Sequence, residues 1–316
     1  MTLAPALGET APSARAILRT HGRSFHFASK FLGERHGANA ARLYAFCRHV
    51  DDTADTAESA QAAGFELDRL EAEINGQREA GPRIGDFLRL ADETNMDLRA
   101  ARALVAGVRS DLGPVAFASE RELVRYAYHV AGVVGLMMCA VLDVDDPAAA
   151  PFAIDLGIAM QLTNIARDVG EDAAMGRRYL PAGWVGDVTP DQILDPDKGT
   201  AERLRAGTRR LLAKAEAYYE SGEAGMAYLP MRARLAILVA SRVYRQIGAA
   251  VKRGNHETWR MRAQVAGPAK AAIAMRAMGD FAVSSRLHQT GAQHDSRLHA
   301  ALDGLPSANL PAGGPT

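Results

Sequence analysis

Gln161, Asn164, Asp168 and Asp172 follow one another at intervals of three, four and four residues. On an α-helix that spacing stacks all four side chains on one face. The stretch just before them, residues 151–160, reads Pro-Phe-Ala-Ile-Asp-Leu-Gly-Ile-Ala-Met and is mostly apolar, so the helix is expected to be buried. A buried helix carrying a row of amide and carboxylate groups must offset their desolvation with a specific partner. That requirement constrains the rest of the chain more than any other feature.

A counterpart lies more than a hundred residues earlier. Tyr44, Arg48, Asp51 or Asp52, and Asp55 share one face of a helix expected over 38–58, which holds no proline or glycine after Ala38. Two carboxylate rows facing each other across a cavity would repel, and each would lose charge or stability. Hard divalent cations satisfy both. Mg²⁺, with Mn²⁺ as an alternative, prefers one or two carboxylates together with waters and substrate phosphates. The pair therefore reads as a metal-dependent diphosphate site. Glu171 lies about a hundred degrees off the Asp168/Asp172 face and is left outside it. Arg48, Arg167 and Arg177 flank the rows; as guanidinium groups they offer bidentate donors to phosphate, or, in the plainer reading, intrahelical partners for nearby acids.

Charge and targeting signals narrow the class. Lys plus Arg equals Asp plus Glu at 37 each, which argues against a nucleic-acid partner bound by bulk positive charge. Two cysteines, Cys47 and Cys139, make no disulfide framework. The N-terminus has neither a basic start nor a proper apolar run, so no signal peptide is expected. The longest uncharged apolar run, 130–142, is too short to span a bilayer. A cytoplasmic protein is expected, with peripheral contact at the inner face of a membrane compatible with the sequence.

Helical periodicity recurs along the chain and strand-like alternation is almost absent, so the expected fold is all-α in a single domain over 13–288. Residues 1–12 and 289–316 are expected to be disordered. Helices are expected over 13–20, 61–77, 96–110, 120–142, 151–172, 201–221, 230–252 and 259–286, with 173–200 as one long irregular connection. Such a connection in a compact domain is often functional. Within 120–142, Gly132 and Gly135 each cost roughly 1 kcal/mol relative to alanine. They imply either close helix packing or space for a long apolar substrate. Tyr128 beside them is either a core residue or a phenol placed near a developing cation.

Residues 24–29 (Ser-Phe-His-Phe-Ala-Ser), 44–48 with its Asp-rich end, 126–132, 161–172 and 176–181 (Gly-Arg-Arg-Tyr-Leu-Pro) together resemble the squalene/phytoene synthase family. The likeness covers about residues 18–274 and is strongest to the bacterial, phytoene-forming branch. It implies an isoprenoid synthase helical bundle with a central hydrophobic channel. The implied activity is prenyl transfer: head-to-head condensation of two geranylgeranyl diphosphates through prephytoene diphosphate to phytoene, in carotenoid biosynthesis. By position it implies Asp51, Asp55, Asn164 and Asp168 as metal ligands, with Asp172 as a further acidic member. His21, Gly22, Arg23, Ser24, Tyr44, Arg48, Gln161 and Arg167 fall on substrate diphosphate contacts, and Tyr128 on a tyrosine facing the reacting carbons. Arg177 is grouped with the substrate contacts because it flanks the second row. His256 stands where many members carry a tyrosine, and Lys270-Ala replaces a usual lysine pair. No NADPH is expected, and the chain holds no Gly-rich strand-turn-helix fingerprint for one. The alternatives are a C15-using relative (dehydrosqualene, squalene or presqualene diphosphate synthase) and a non-catalytic isoprenoid-binding subunit.

Overall fold

The computed structural model describes residues 13–306 and 308. The expected disorder over 1–12 lies outside them. Helix starts fall where side chains can cap them. Helix α1 (Ala14–His21) opens at Ser13, whose Oγ accepts from the Ala16 amide at 3.3 Å. After Gly22 comes α2 (Arg23–Ser29), and α3 (Glu34–Asp55) carries the first acidic row. Helices α4 (Ala60–Ile74), α5 (Pro82–Glu93) and α6 (Leu98–Arg109) cover the outer side of α3. Phe46 of α3 stacks on Phe87 of α5 with ring centroids 3.6 Å apart.

Strand β1 (Val115–Ala116) leads to α7 (Glu120–Ala127), capped by Ser119. One wide π turn over Tyr128–Gly132 continues into α8 (Val133–Val141). Helix α9 (Ala150–Ala174) is the axis of the fold. Beyond it lie β2 (Arg177–Arg178), α10 (Ala182–Val185), α11 (Pro190–Leu194), α12 (Lys198–Ala224), α13 (Met231–Arg253) and α14 (Gly267–Val283). Helices α8, α12 and α13 all pack on α9. A Cβ added at Gly135 would run into the Ala153 carbonyl, and one at Gly157 into the Ala131 carbonyl. Glycine at those two positions lets α9 press backbone to backbone against the π turn and α8, and Gly135 also borders an internal cavity, so both readings of it apply. By length and hydropathy the α7–α8 rod and α9 would suffice to cross a membrane, but about half of each is buried inside this bundle.

The structure departs from the expectations in three places. The connection over 173–200 is not wholly irregular: β2 pairs in parallel with β1, Val115 opposite Arg177, and α10 and α11 follow. Buried Arg178 ties it down by donating to the carbonyls of Phe117 (3.0 Å) and Leu180 (2.7 Å). The last long helix begins at Gly267, not 259, because Pro268 suits a first turn and not a helix interior. Finally, the segment after 288 is folded at least through residue 306. Ser296–Leu302 form a 3₁₀ helix whose His299 and Leu302 are buried. Tyr218 donates to the Leu298 carbonyl at 2.8 Å and Arg125 to that of Ala301 at 3.1 Å. The composition of that segment suggested disorder; the backbone carbonyls it offers to side chains of the bundle hold it in place.

Candidate active site

Helices α2, α3, α8, α9 and α13 enclose a cavity of about 850 Å³. One wall follows α9 from Phe152 to Arg167, about 22 Å at 1.5 Å per residue. Most of its length is apolar, with Val134, Met138, Leu156, Met160 and Ile237 among its lining. Cys47 and Cys139 are free thiols facing the same space. Polar groups gather at one end: His21, Ser24, Tyr44, Arg48, Asp51, Gln161, Asn164, Arg167 and Arg262. The backbone of Gly22 lies there too, pressed against Tyr44; a Cβ would stand 2.8 Å from the Tyr44 ring. The side chain of Arg23 lies outside the described residues.

The two acidic rows, read separately in the sequence, meet at this polar end. Asp51 from α3 and Asn164 from α9 line the same space. Arg177, just beyond α9, reaches back to Asp55 of α3 at 3.5 Å. Their electrostatics differ. Burial, followed by the neighbouring carboxylates Asp55, Asp52 and Asp111, lifts Asp51 to about 7, although Arg48 opposes the shift. Burial and the adjacent Asp168 lift Asp172 to about 8 against the pull of Arg177. Asp168, by contrast, is clasped: Arg167 donates to both its oxygens at 2.8 and 2.5 Å, and Arg262 Nε approaches at 2.8 Å. Asp52 takes Arg48 at 2.5 Å. Asn164 donates to Gln161 at 3.2 Å, while its buried Oδ1 has no partner.

A row of hard oxygen donors that is short of positive charge and contains an orphaned amide oxygen is the donor set a hard divalent ion would complete. Asp51, Asn164 and Asp172 fit that description directly, and Asp55 adds an oxygen already approached by Arg177. Asp168 fits once its arginines turn toward an anion.

Three residues at this end were not singled out from the sequence. Arg262, in the loop before α14, braces both Asp168 and Glu171, the latter at 3.3 Å. Tyr244 of α13 lines the cavity beside Phe25, with burial pushing its phenol up to about 12, as it does for Tyr44. Asp111 accepts from Tyr126 at 2.6 Å and Tyr179 at 3.0 Å, and its charge is felt by Asp51 and Asp172.

Two expected site residues lie elsewhere. Tyr128 is fully buried, does not line the cavity, and donates to the Pro306 carbonyl. The π turn carries its ring onto the far side of the α7–α8 rod, so the core reading of Tyr128 applies. His256 sits in the left-handed turn after α13 at φ 61, away from the cavity lining, and Arg209 and Lys252 are the cations it feels.

A family model for squalene/phytoene synthases matches residues 18–268. The chain belongs to the squalene/phytoene synthase family. It is 37% identical over 282 residues to a 15-cis-phytoene synthase of Enterobacter agglomerans, an alignment covering 84% of this chain and 93% of that protein. It is 37% identical over 263 residues to a phytoene synthase of Cereibacter sphaeroides, covering 79% and 74%. Among solved structures, a dehydrosqualene synthase in complex with ligand superposes with a TM-score of 0.73 at 26% identity, covering 84% of this chain and 94% of that one. The squalene synthase HpnC of Alicyclobacillus acidocaldarius, at 21% identity and TM-score 0.65, shares the fold. The all-α isoprenoid synthase architecture follows from both.

Proposed function

We propose that this chain is a phytoene synthase, a prenyltransferase that joins two geranylgeranyl diphosphates head to head and releases diphosphate. The observation that carries the reading is one space in which Asp51 of the first row and Asn164 of the second stand together at the end of a long apolar tunnel. The named relatives, at 37% identity over most of the chain, support the same activity.

Asp51, Asp55, Asn164, Asp168 and Asp172 would hold magnesium, with manganese as a substitute. Bound there, the metal supplies the positive charge that makes diphosphate a better leaving group. Arg48, Arg167 and Arg262 donate to phosphate oxygens, and His21 and Ser24 close the same end. The first C–O bond breaks with its electron pair leaving on diphosphate. Carbon one of the donor is then captured by the double bond of the acceptor, and loss of a proton closes a cyclopropane. A second ionisation, rearrangement and proton loss give the hydrocarbon. The apolar lining keeps water from the allylic cations. Tyr44 and Tyr244 remain protonated at working pH, so they offer ring faces and hydroxyls to a cation without presenting a phenolate that would trap it. A cytoplasmic enzyme touching the inner face of a membrane suits so insoluble a product.

The C15-using alternative is favoured by one fact, the superposition on a dehydrosqualene synthase. Incubating the purified protein with C15 or C20 diphosphate and Mg²⁺, with and without NADPH, separates the readings. Phytoene from the C20 substrate without NADPH is the expected product. A C30 hydrocarbon made in preference would move the assignment to the C15 branch, and no turnover of either substrate would leave only a binding subunit.

A further inference from the structure

On the outer side of the amino-terminal half of α9, away from the cavity, Asp155 is completely buried. It lies thirteen residues before Asp168, about 20 Å along the helix. Three side chains converge on it. Ser221 of α12 donates to Oδ2 at 2.5 Å. His294 Nε2 stands 2.8 Å from Oδ2, and His299 Nε2 stands 2.8 Å from Oδ1. Both histidines come from the folded C-terminal segment, and their rings are 4.4 Å apart, centroid to centroid.

Proton bookkeeping narrows what can hold this cluster together. His299 Nδ1 lies 2.7 Å from the carbonyl oxygen of Ala308, which can only accept, so Nδ1 carries the hydrogen. In a neutral ring, Nε2 then presents a lone pair to a carboxylate oxygen, and a cation must lie between them. One proton on His299, with neutral His294 donating from Nε2, makes the same contacts without a metal. A single metal ion satisfies both nitrogens and the carboxylate together.

We propose that Asp155, His294 and His299 form a second metal site, for a first-row divalent ion of the zinc class, that staples the C-terminal segment to α9. Two imidazole nitrogens and a carboxylate oxygen are a common donor set for such an ion, with water or Ser221 completing a tetrahedron. The three donor atoms already lie within 4.8 Å of one another. In a tetrahedral site neighbouring donors stand about 3.3 Å apart, so the 2.8 Å contacts need to open by only a few tenths of an ångström. An Nδ1–H donated to a backbone carbonyl is how metal-bound imidazoles are commonly oriented from behind. His294, the more exposed of the two at 12%, supplies the entry side. The donors here include nitrogen, whereas the active-site rows offer oxygen alone, so the two sites select different ions.

Co²⁺ titration of untagged, chelator-stripped full-length protein tests the proposal, because tetrahedral nitrogen–oxygen cobalt absorbs visibly far more strongly than cobalt in an all-oxygen octahedral site. One equivalent should give the tetrahedral spectrum, and Zn²⁺ should displace it. The spectrum should persist in Asp168→Asn and vanish in His294→Gln, a substitution at the more exposed ligand that keeps size and polarity. Zn²⁺ should also raise the melting temperature of the stripped wild type and leave that of His294→Gln unchanged. A wild type with no tetrahedral spectrum and no Zn²⁺-dependent rise would overturn the site, leaving a hydrogen-bonded clasp held by a proton. So would a spectrum indifferent to His294→Gln.

Discussion

Asp168 and Asp51 belong to the two rows that meet at the cavity's polar end, yet the protein treats them in opposite ways. Asp168 is neutralised twice over, by Arg167 on its own helix and by Arg262 from a distant loop. Asp51 has only Arg48 to set against burial and three other carboxylates, and rises to about 7; Asp172 follows to about 8. The second row thus has a settled anchor, and the charge deficit lies between Asp51 and Asp172. The contrast locates where an external cation is needed, which the matching spacing of the rows does not.

The sharpest way to break the comparison is to neutralise each side. Asp51→Asn and Asp168→Asn should each lower turnover by about 10³-fold or more, since a metal's charge stabilisation is worth several kcal/mol. Their effects on metal-free stability should have opposite signs. Asp51→Asn removes a repelled carboxylate, so melting at pH 8 should rise by about 2 °C. Asp168→Asn gives two guanidinium groups one neutral acceptor oxygen in place of a carboxylate and should cost about 1–3 kcal/mol. Equal melting shifts in the two variants would erase the distinction.

Arg262→Ala comes next. With half of the Asp168 clasp gone and a phosphate donor lost, kcat/KM should fall about 10- to 100-fold while the far-ultraviolet spectrum is unchanged.

A smaller effect concerns pH. Asp51 and Asp172 hold their protons more tightly folded than unfolded, where the usual value is 3.8. The folded state therefore binds more protons between that value and about 7 to 8. Metal-free stability should fall as pH rises across this window and level off above it. Metal binding must displace those protons, so affinity for Mg²⁺ should rise with pH up to about 8 and then flatten, which calorimetry in buffers of different ionisation enthalpy would detect.

The smallest effect is expected at Tyr128, which lies outside the cavity. Tyr128→Phe should leave turnover within about threefold and cost about 1 kcal/mol through its lost bond to Pro306.

Those contrasts also mark what was legible in the chain. The acidic rows could be read because both lie on long unbroken helices, α3 and α9, where spacing fixes direction. For Tyr128 the residues alone left a core reading open and the resemblance put it beside the reacting carbons; the structure has it in the core, next to a π turn that periodicity does not register. Arg262 and Tyr244 were missed for different reasons. Arg262 sits in a loop that was read as helix, although Gly267-Pro268 marked the true start. Tyr244 sits on an apolar helix face, where a cavity-lining tyrosine and a core tyrosine look the same. The folded tail was hidden by its glycine and proline content, since several of its anchors are carbonyls that any residue would provide. His294 and His299 were a signal there, and they acquire meaning once Asp155 faces them.

The central claim is that both rows hold the same ions against one diphosphate. Mn²⁺ bound per protein in the presence of inorganic diphosphate, counted by electron paramagnetic resonance, tests it most directly. Wild type should bind diphosphate-dependent Mn²⁺, and Asp51→Asn and Asp168→Asn should each lose it. Full retention in either variant, with its fold intact, would mean that the two rows act separately and would contradict the account.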